Sequence, residues 1–93
     1  MSTDLSARVA IIGGGLSGLL AAWRLQAQGV REVVVLEARS RLGGRVHTLD
    51  GMDLGATWCW PEMQADLQAL LDELGLPTFV QPDQGDMVWE RST

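Results

Sequence analysis

One stretch limits the fold of this chain more than any other: Gly13-Gly14-Gly15-Leu16-Ser17-Gly18, set between a β-branched run and a helical pattern. Ahead of it, Arg8 to Ile12 (RVAII) reads as a short buried strand. Behind it, Leu16, Leu19, Leu20, Trp23 and Ala27 recur at helical spacing, and Gly29 offers a C-terminal stop. Glu32 to Glu37 (EVVVLE) follows as a second strand, apolar on both faces. Strand, helix and strand in this order form a βαβ unit, which requires parallel strands and a right-handed crossover.

The glycines form a GxGxxG at the point where a strand gives way to a helix, and each has a physical task. Gly13 permits the tight turn, Gly15 lets the backbone approach a pyrophosphate with no Cβ in the way, and Gly18 with Ala22 lets the helix lie close to the sheet. Amides near Leu16 and Ser17, with the positive end of the helix dipole, would attract the anion without a basic side chain. Glu37 closes the second strand nineteen residues after Gly18, where a carboxylate can accept hydrogen bonds from a ribose diol. A carboxylate there repels a 2′-phosphate, which disfavours a phosphorylated nicotinamide cofactor, although Arg39 lies two residues on. The alternative is a glycine-rich turn beside an ordinary surface Glu. FAD and NAD share these features, and the choice rests on Glu37-Ala38-Arg39-Ser40-Arg41-Leu42-Gly43-Gly44-Arg45. A glycine pair with an arginine suits a second face of a diphosphate, while a solvated Arg-rich loop is the plainer account.

Further along, Arg45 to Leu49 and Met52 to Leu54 flank Asp50-Gly51, a hairpin turn signal. Pro61 and Glu62 suit the first turn of an amphipathic helix carrying Met63, Leu67, Leu70, Leu71 and Leu74 and ending at Gly75. Thr78 to Gln81 and Met87 to Glu90, around Pro82-Asp83-Gln84-Gly85, read as a last pair of strands. With no repeat and no Pro/Ser-rich linker, no domain boundary is expected inside the chain.

Composition excludes several function classes. At 93 residues with 46% hydrophobic side chains the chain is one small domain or part of a larger one, with a core that is marginal unaided. The net charge is −5, and the seven basic residues, all Arg, form no run, which argues against nucleic acid. Cys59 is the single cysteine, so no internal disulfide or structural zinc site is available, no metal site is expected, and a reducing, cytoplasmic setting fits. The uncharged segment Val9 to Trp23 is too short to span a bilayer, and its glycine triplet would break a helix, so no membrane role is expected.

Residues Val9 to Arg45, read as VAIIGGGLSGLLAAWRL and VVVLEARSRLGGR, resemble the N-terminus of the flavin-containing amine oxidases, the group of monoamine, polyamine and L-amino-acid oxidases. The likeness continues through Asp53-Leu54-Gly55-Ala56-Thr57-Trp58, similar to the family's segment near the flavin ring, and through Leu74-Gly75-Leu76. It implies an α/β fold: a Rossmann-like βαβ unit over residues 8–45 behind a tail at 1–7, then an extension of hairpin, helix and short strands at 46–93. All 93 residues would then be the N-terminal part of a FAD-binding domain, incomplete without further strands and holding no substrate domain.

By the same resemblance, FAD is the cofactor. The strand-to-helix turn (Gly13, Gly14, Gly15, Leu16, Ser17, Gly18) would hold the pyrophosphate, Glu37 the adenosine ribose, and Ala38 and Arg39 the adenosine end. Gly43, Gly44 and Arg45 would serve the diphosphate and ribityl region, with Gly55, Ala56, Thr57 and Trp58 against the flavin. The reaction implied is amine oxidation at a C–N bond, with hydride passing to flavin and dioxygen returning as hydrogen peroxide. Its substrate would be an amine or amino acid, taken through a further protein chain or C-terminal segment that completes the fold. The family's polyamine-acting members often have an acidic or His residue just after the Trp; here Cys59-Trp60-Pro61 follows, which argues against a dicationic substrate. The family also uses a lysine near the flavin, and this chain has none, so no catalytic residue is assigned and the 93 residues alone are expected to be inactive. A non-catalytic FAD or ADP module, and a fragment of an NAD-dependent dehydrogenase, are the alternatives.

Other residues have plainer readings. Trp58 and Trp60 are either an aromatic wall or packing, Cys59 is a small apolar filler, and His47 is structural. Asp66, Asp72 and Glu73 fall on the polar face of their helix.

Overall fold

A computed structural model describes residues 6–92; residues 1–5 of the expected tail at 1–7 lie outside the described residues. The described part divides into two compact units, Met1–Trp58 and Cys59–Thr93, a break that composition does not announce.

In the first unit, β1 (Val9–Ile12) and β2 (Val33–Leu36) pair in parallel, with Val9 opposite Val33 and Ile12 opposite Leu36. Their β-branched side chains suit a pleated surface. Helix α1 (Leu16–Ala27) connects them and packs on the pair, with Ile11 facing the helix at Gly18. The opposite face is bare: Ile12 is 80% exposed and Leu36 42%. Helix α1 stops as Gly29 suggests, at φ +90, with the Gly29 N–H donating to the Gln26 carbonyl and the Val30 N–H to that of Leu25, a Schellman motif.

The hairpin is present but shorter than expected: β3 (Thr48–Leu49) and β4 (Met52–Asp53) pair antiparallel. Asp50 (φ 53) and Gly51 (φ 76) both take positive φ, as a tight two-residue connection requires. Both strands are exposed and, among the described residues, meet no third strand; beyond them single bonds in the same register run from the Leu54 N–H to the His47 carbonyl and from the Ala56 N–H to the Arg45 carbonyl.

In the second unit, α2 (Ala65–Leu74) ends at Gly75 (φ 69), again with paired bonds, Gly75 N–H to the Asp72 carbonyl and Leu76 N–H to that of Leu71. The expected start at Pro61 is corrected. Residues 61–63 form a turn on the Trp60 carbonyl, which accepts N–H bonds from Met63 and Gln64, and Gln64 leaves helical geometry at φ −127, ψ 58. Leu70 is the buried hydrophobic residue among those described, at 7% exposure. The expected strands at Thr78 to Gln81 and Met87 to Glu90 do not form, a second correction. No ladder partner meets them, and Phe79 and Val80 are 90% and 92% exposed, so neither hydrogen bonds nor burial hold these segments in a sheet. Among the described residues no helix is long and apolar enough to cross a membrane, and no group of three or more His, Cys, Asp or Glu is placed to hold a metal.

Candidate functional site

The chain leaves β1 through Gly13, whose φ of +102 is open to glycine and strained for other residues. Its N–H donates to the Leu36 carbonyl at 2.8 Å, which carries the parallel pairing one step past β1. Gly15 then caps α1 in extended geometry, and no side chain caps the helix. The first bond across the cap runs from the Leu19 N–H to the Gly15 carbonyl at 3.0 Å, so the amides of Leu16, Ser17 and Gly18 have no intrahelical partner. Three donors and the positive end of the helix dipole thus collect at one point. Gly18 is held close: a Cβ there would overlap the Gly13 carbonyl and come within 3.2 Å of Ile11 Cγ2.

A second strip of bare backbone lies opposite. Gly43 bridges Gly15 in parallel fashion and donates its N–H to the Gly14 carbonyl at 2.7 Å. A Cβ on Gly44 would stand 3.2 Å from the Gly15 Cα, so the two loops approach as main chain against main chain. Gly14, the free position of the GxGxxG, is equally restricted: it is buried, and its added Cβ would meet Leu42 Cδ2 at 2.6 Å and Glu37 Cβ at 3.4 Å.

Glu37 fastens the turn. Its Oε1 accepts the Gly14 N–H at 3.0 Å and its Oε2 accepts the Arg39 N–H at 2.9 Å. These bonds, the one from Arg39 first and that from Gly14 second, hold its carboxyl below the ordinary carboxylate value. The carboxylate therefore points toward the glycine turn, with lone pairs to spare for further donors.

These elements surround an open cleft of about 1110 Å³. Gly13, Gly15, Leu16, Ser17 and Gly18 line one wall; Glu37, Arg39, Gly43, Gly44 and Arg45 line another; Gly55 and Ala56 border it near His47 and Leu54. Gly55 comes against Arg45, whose carbonyl also accepts the Ala56 N–H at 3.3 Å. The remaining sequence-derived candidates fall elsewhere. Gly14 lies behind the turn, and Ala38 borders a neighbouring hollow with Ile12 and Val35. Thr57 donates its hydroxyl to the Gly55 carbonyl, and Trp58 is 65% exposed; neither lines the cleft. Sequence reasoning passed over Arg41, whose guanidinium donates to the carbonyls of Leu42, Gly44 and Val46. Its place directly before Leu42-Gly43-Gly44, between Arg39 and Arg45, was the available signal.

The cleft fits a dinucleotide diphosphate. Unsatisfied amides and bare backbone stand on two sides, an acid closes the neighbouring strand, and a Cβ at Gly44 would press on the Gly15 Cα at 3.2 Å.

Residues 16–93 match the model of a family described as flavin containing amine oxidoreductase. The putrescine oxidase of Kocuria rosea is 44% identical over 91 residues, taking in 94% of this chain and 19% of its own length. Flavin-containing amine oxidase B of Homo sapiens is 45% identical over 76 residues, 76% of this chain and 14% of its own. Among solved structures, a wild-type putrescine oxidase bound to putrescine superposes with a TM-score of 0.70 at 49% identity, covering 81% of this chain and 17% of that one. A fatty acid isomerase from P. acnes that produces CLA gives 0.62 at 31% identity, covering 80% and 18%. The chain thus spans less than a fifth of the length of these relatives.

Proposed function

Since this chain belongs to the family of flavin-containing amine oxidoreductases, we propose that it is the FAD-binding opening of an enzyme that oxidises an amine at its C–N bond. FAD, the cofactor that the resemblance implies, agrees with the family, whose description is flavin containing. The observation that carries the reading is the convergence in one cleft of the uncapped α1 terminus, the Gly43-Gly44 strip and the Glu37 carboxylate.

On this reading the β1–α1–β2 segment begins a Rossmann-like domain, residues 8–45 form its nucleotide-binding core, and residues 46–93 extend it. The amides of Leu16, Ser17 and Gly18 hold the pyrophosphate, Glu37 accepts from the adenosine ribose, and Arg39 lies at the adenosine end. Gly44 and Arg45 face the diphosphate and ribityl region, and Gly55 with Ala56 approaches the flavin side of the cleft. Bound there, the flavin would supply the acceptor for a hydride equivalent from the amine α-carbon, with dioxygen returned as hydrogen peroxide. Groups that hold the amine come from a further segment or chain, as a span of less than a fifth of the relatives' length suggests. A cytoplasmic setting stays with the proposal on composition alone.

A dicationic substrate stays within the proposal, because a protein named putrescine oxidase is 44% identical over an alignment covering 94% of this chain, a span that takes in Cys59-Trp60-Pro61. The likeness to a fatty acid isomerase favours a second reading, in which the same cleft serves flavin chemistry on a substrate that is not an amine. Native mass spectrometry of the purified protein with FAD or NAD, followed by peroxide release from an amine panel that includes putrescine, measured with the further segment or chain that supplies the amine-holding groups present, tests the proposal. FAD uptake with amine-dependent peroxide is the expected result. FAD uptake with no peroxide from any amine supports the second reading, and NAD uptake in place of FAD overturns both.

A further inference from the structure

Arg41 donates to three main-chain carbonyls at once: Nη1 to Leu42 at 3.0 Å and Val46 at 3.4 Å, and Nη2 to Gly44 at 2.8 Å. The three acceptors straddle the glycine pair, where Gly43 (φ 107) and Gly44 (φ 59) take positive φ, which glycine reaches freely but is not confined to, so holding the bend in one shape costs backbone entropy. The Val46 N–H closes the same turn on the Gly43 carbonyl at 3.0 Å. A side chain at Gly43 would meet Arg41 Nη1 at 3.2 Å, so the guanidinium fills the inside of the bend. A planar fork with five fixed donors can span such a set of acceptors; a single ammonium cannot.

We propose that Arg41 is a positioning residue, which holds Gly43-Gly44 folded against Gly15 and so keeps the second wall of the diphosphate cleft in shape before the cofactor arrives. The inference rests on the reading that this cleft takes the FAD diphosphate. Arg41 borders the cleft but acts through the loop: three of its five N–H donors are on carbonyls of the glycine bend, so its contribution comes from geometry and not from charge offered to phosphate. Preorganising the loop removes an ordering cost that binding would otherwise bear.

The test uses the full chain, with amide hydrogen exchange in the cofactor-free protein and FAD affinity from flavin fluorescence. FAD binding by the wild type checks the underlying reading separately. In R41A and R41K, the Gly43 and Val46 amides are expected to exchange at least about tenfold faster while those of β1 and β2 keep their protection. FAD affinity is expected to fall about tenfold or more in both, with added guanidinium ion restoring part of the loss in R41A. A direct charge contact predicts the opposite ranking, with R41K close to wild type and steeper salt dependence in the wild type than in R41A. Either that pattern, or unchanged exchange at Gly43 and Val46, overturns the proposal. Should R41A fail to fold, R41K decides the matter by the same two readouts. Loss of the fold in both overturns a role confined to the loop.

Discussion

Replacing Gly18 with Ala sets two opposed effects against each other. Helix propensity favours Ala over Gly by about 1 kcal/mol in a helix interior, and by less in a first turn. Against it stands the Gly13 carbonyl, into which the new Cβ would project, with Ile11 Cγ2 at 3.2 Å behind it. That carbonyl shares its peptide plane with the Gly14 N–H, which Glu37 Oε1 holds at 3.0 Å, so it cannot swing aside as a flexible side chain would. Helix α1 must instead withdraw from the sheet, and overpacking of this kind costs roughly 1–3 kcal/mol. The net expectation for Gly18→Ala is a loss of about 1–2 kcal/mol in urea unfolding of the full chain, the steric cost exceeding the propensity gain. Because the amides of Leu16, Ser17 and Gly18 move with the helix, FAD affinity should drop about tenfold, the equivalent of 1.4 kcal/mol. Ala21→Gly, at an exposed position of the same helix, is the control: a loss of roughly 1 kcal/mol by propensity alone, with FAD binding unchanged. If Gly18→Ala proved as stable as the wild type and bound FAD equally well, the close approach of α1 to β1 would not be the reason for glycine there.

Gly43→Ala combines φ +107 with a Cβ 2.8 Å from the Val46 carbonyl oxygen; strain of about 1–3 kcal/mol is expected, read as a lower urea midpoint and weaker FAD binding. Glu37 has a depressed folded-state pKa, so its stabilisation is complete above its ordinary value near 4.5 and is lost as pH falls through the lowered one. The stability gap between wild type and Glu37→Gln should accordingly narrow in urea unfolding below about pH 4.5, and a gap constant with pH would contradict the two amide bonds. In the hairpin, Gly51 has open space around it, so Gly51→Val suffers torsional strain alone, roughly 1–2 kcal/mol, whereas Asp50→Asn is neutral. Exchange of the Leu54 amide, bonded to the His47 carbonyl at 2.8 Å, should accelerate in the first and not in the second.

Where local chemistry dictates structure, the sequence was a good guide. The glycine turn, both helix stops at Gly29 and Gly75, the parallel pair and the Asp50-Gly51 turn depend on backbone torsions and periodicity, and each lies where the residues place it. The failures share a cause. Thr78 to Gln81 and Met87 to Glu90 have strand composition, but a strand exists through a neighbour, and none reaches them. Pro61 is suited to a helix start, yet the Trp60 carbonyl draws residues 61–63 into a separate turn. In the cleft, residue types revealed the acid and the glycines. The engagement of Gly14 with Leu42 and the three-carbonyl grip of Arg41 came only from tertiary proximity, which spacing along a chain does not encode.

The parallel bridge between Gly15 and Gly43 has an implication for how such a cleft can change. Both walls meet through peptide groups, so side chains around them can drift with little effect on the fit, whereas the number of residues from Glu37 to Gly43 is fixed by the need to bring one amide opposite another. Insertion of a single residue in that connection would slide every later group out of step, and would disable the site more surely than most replacements of its polar side chains.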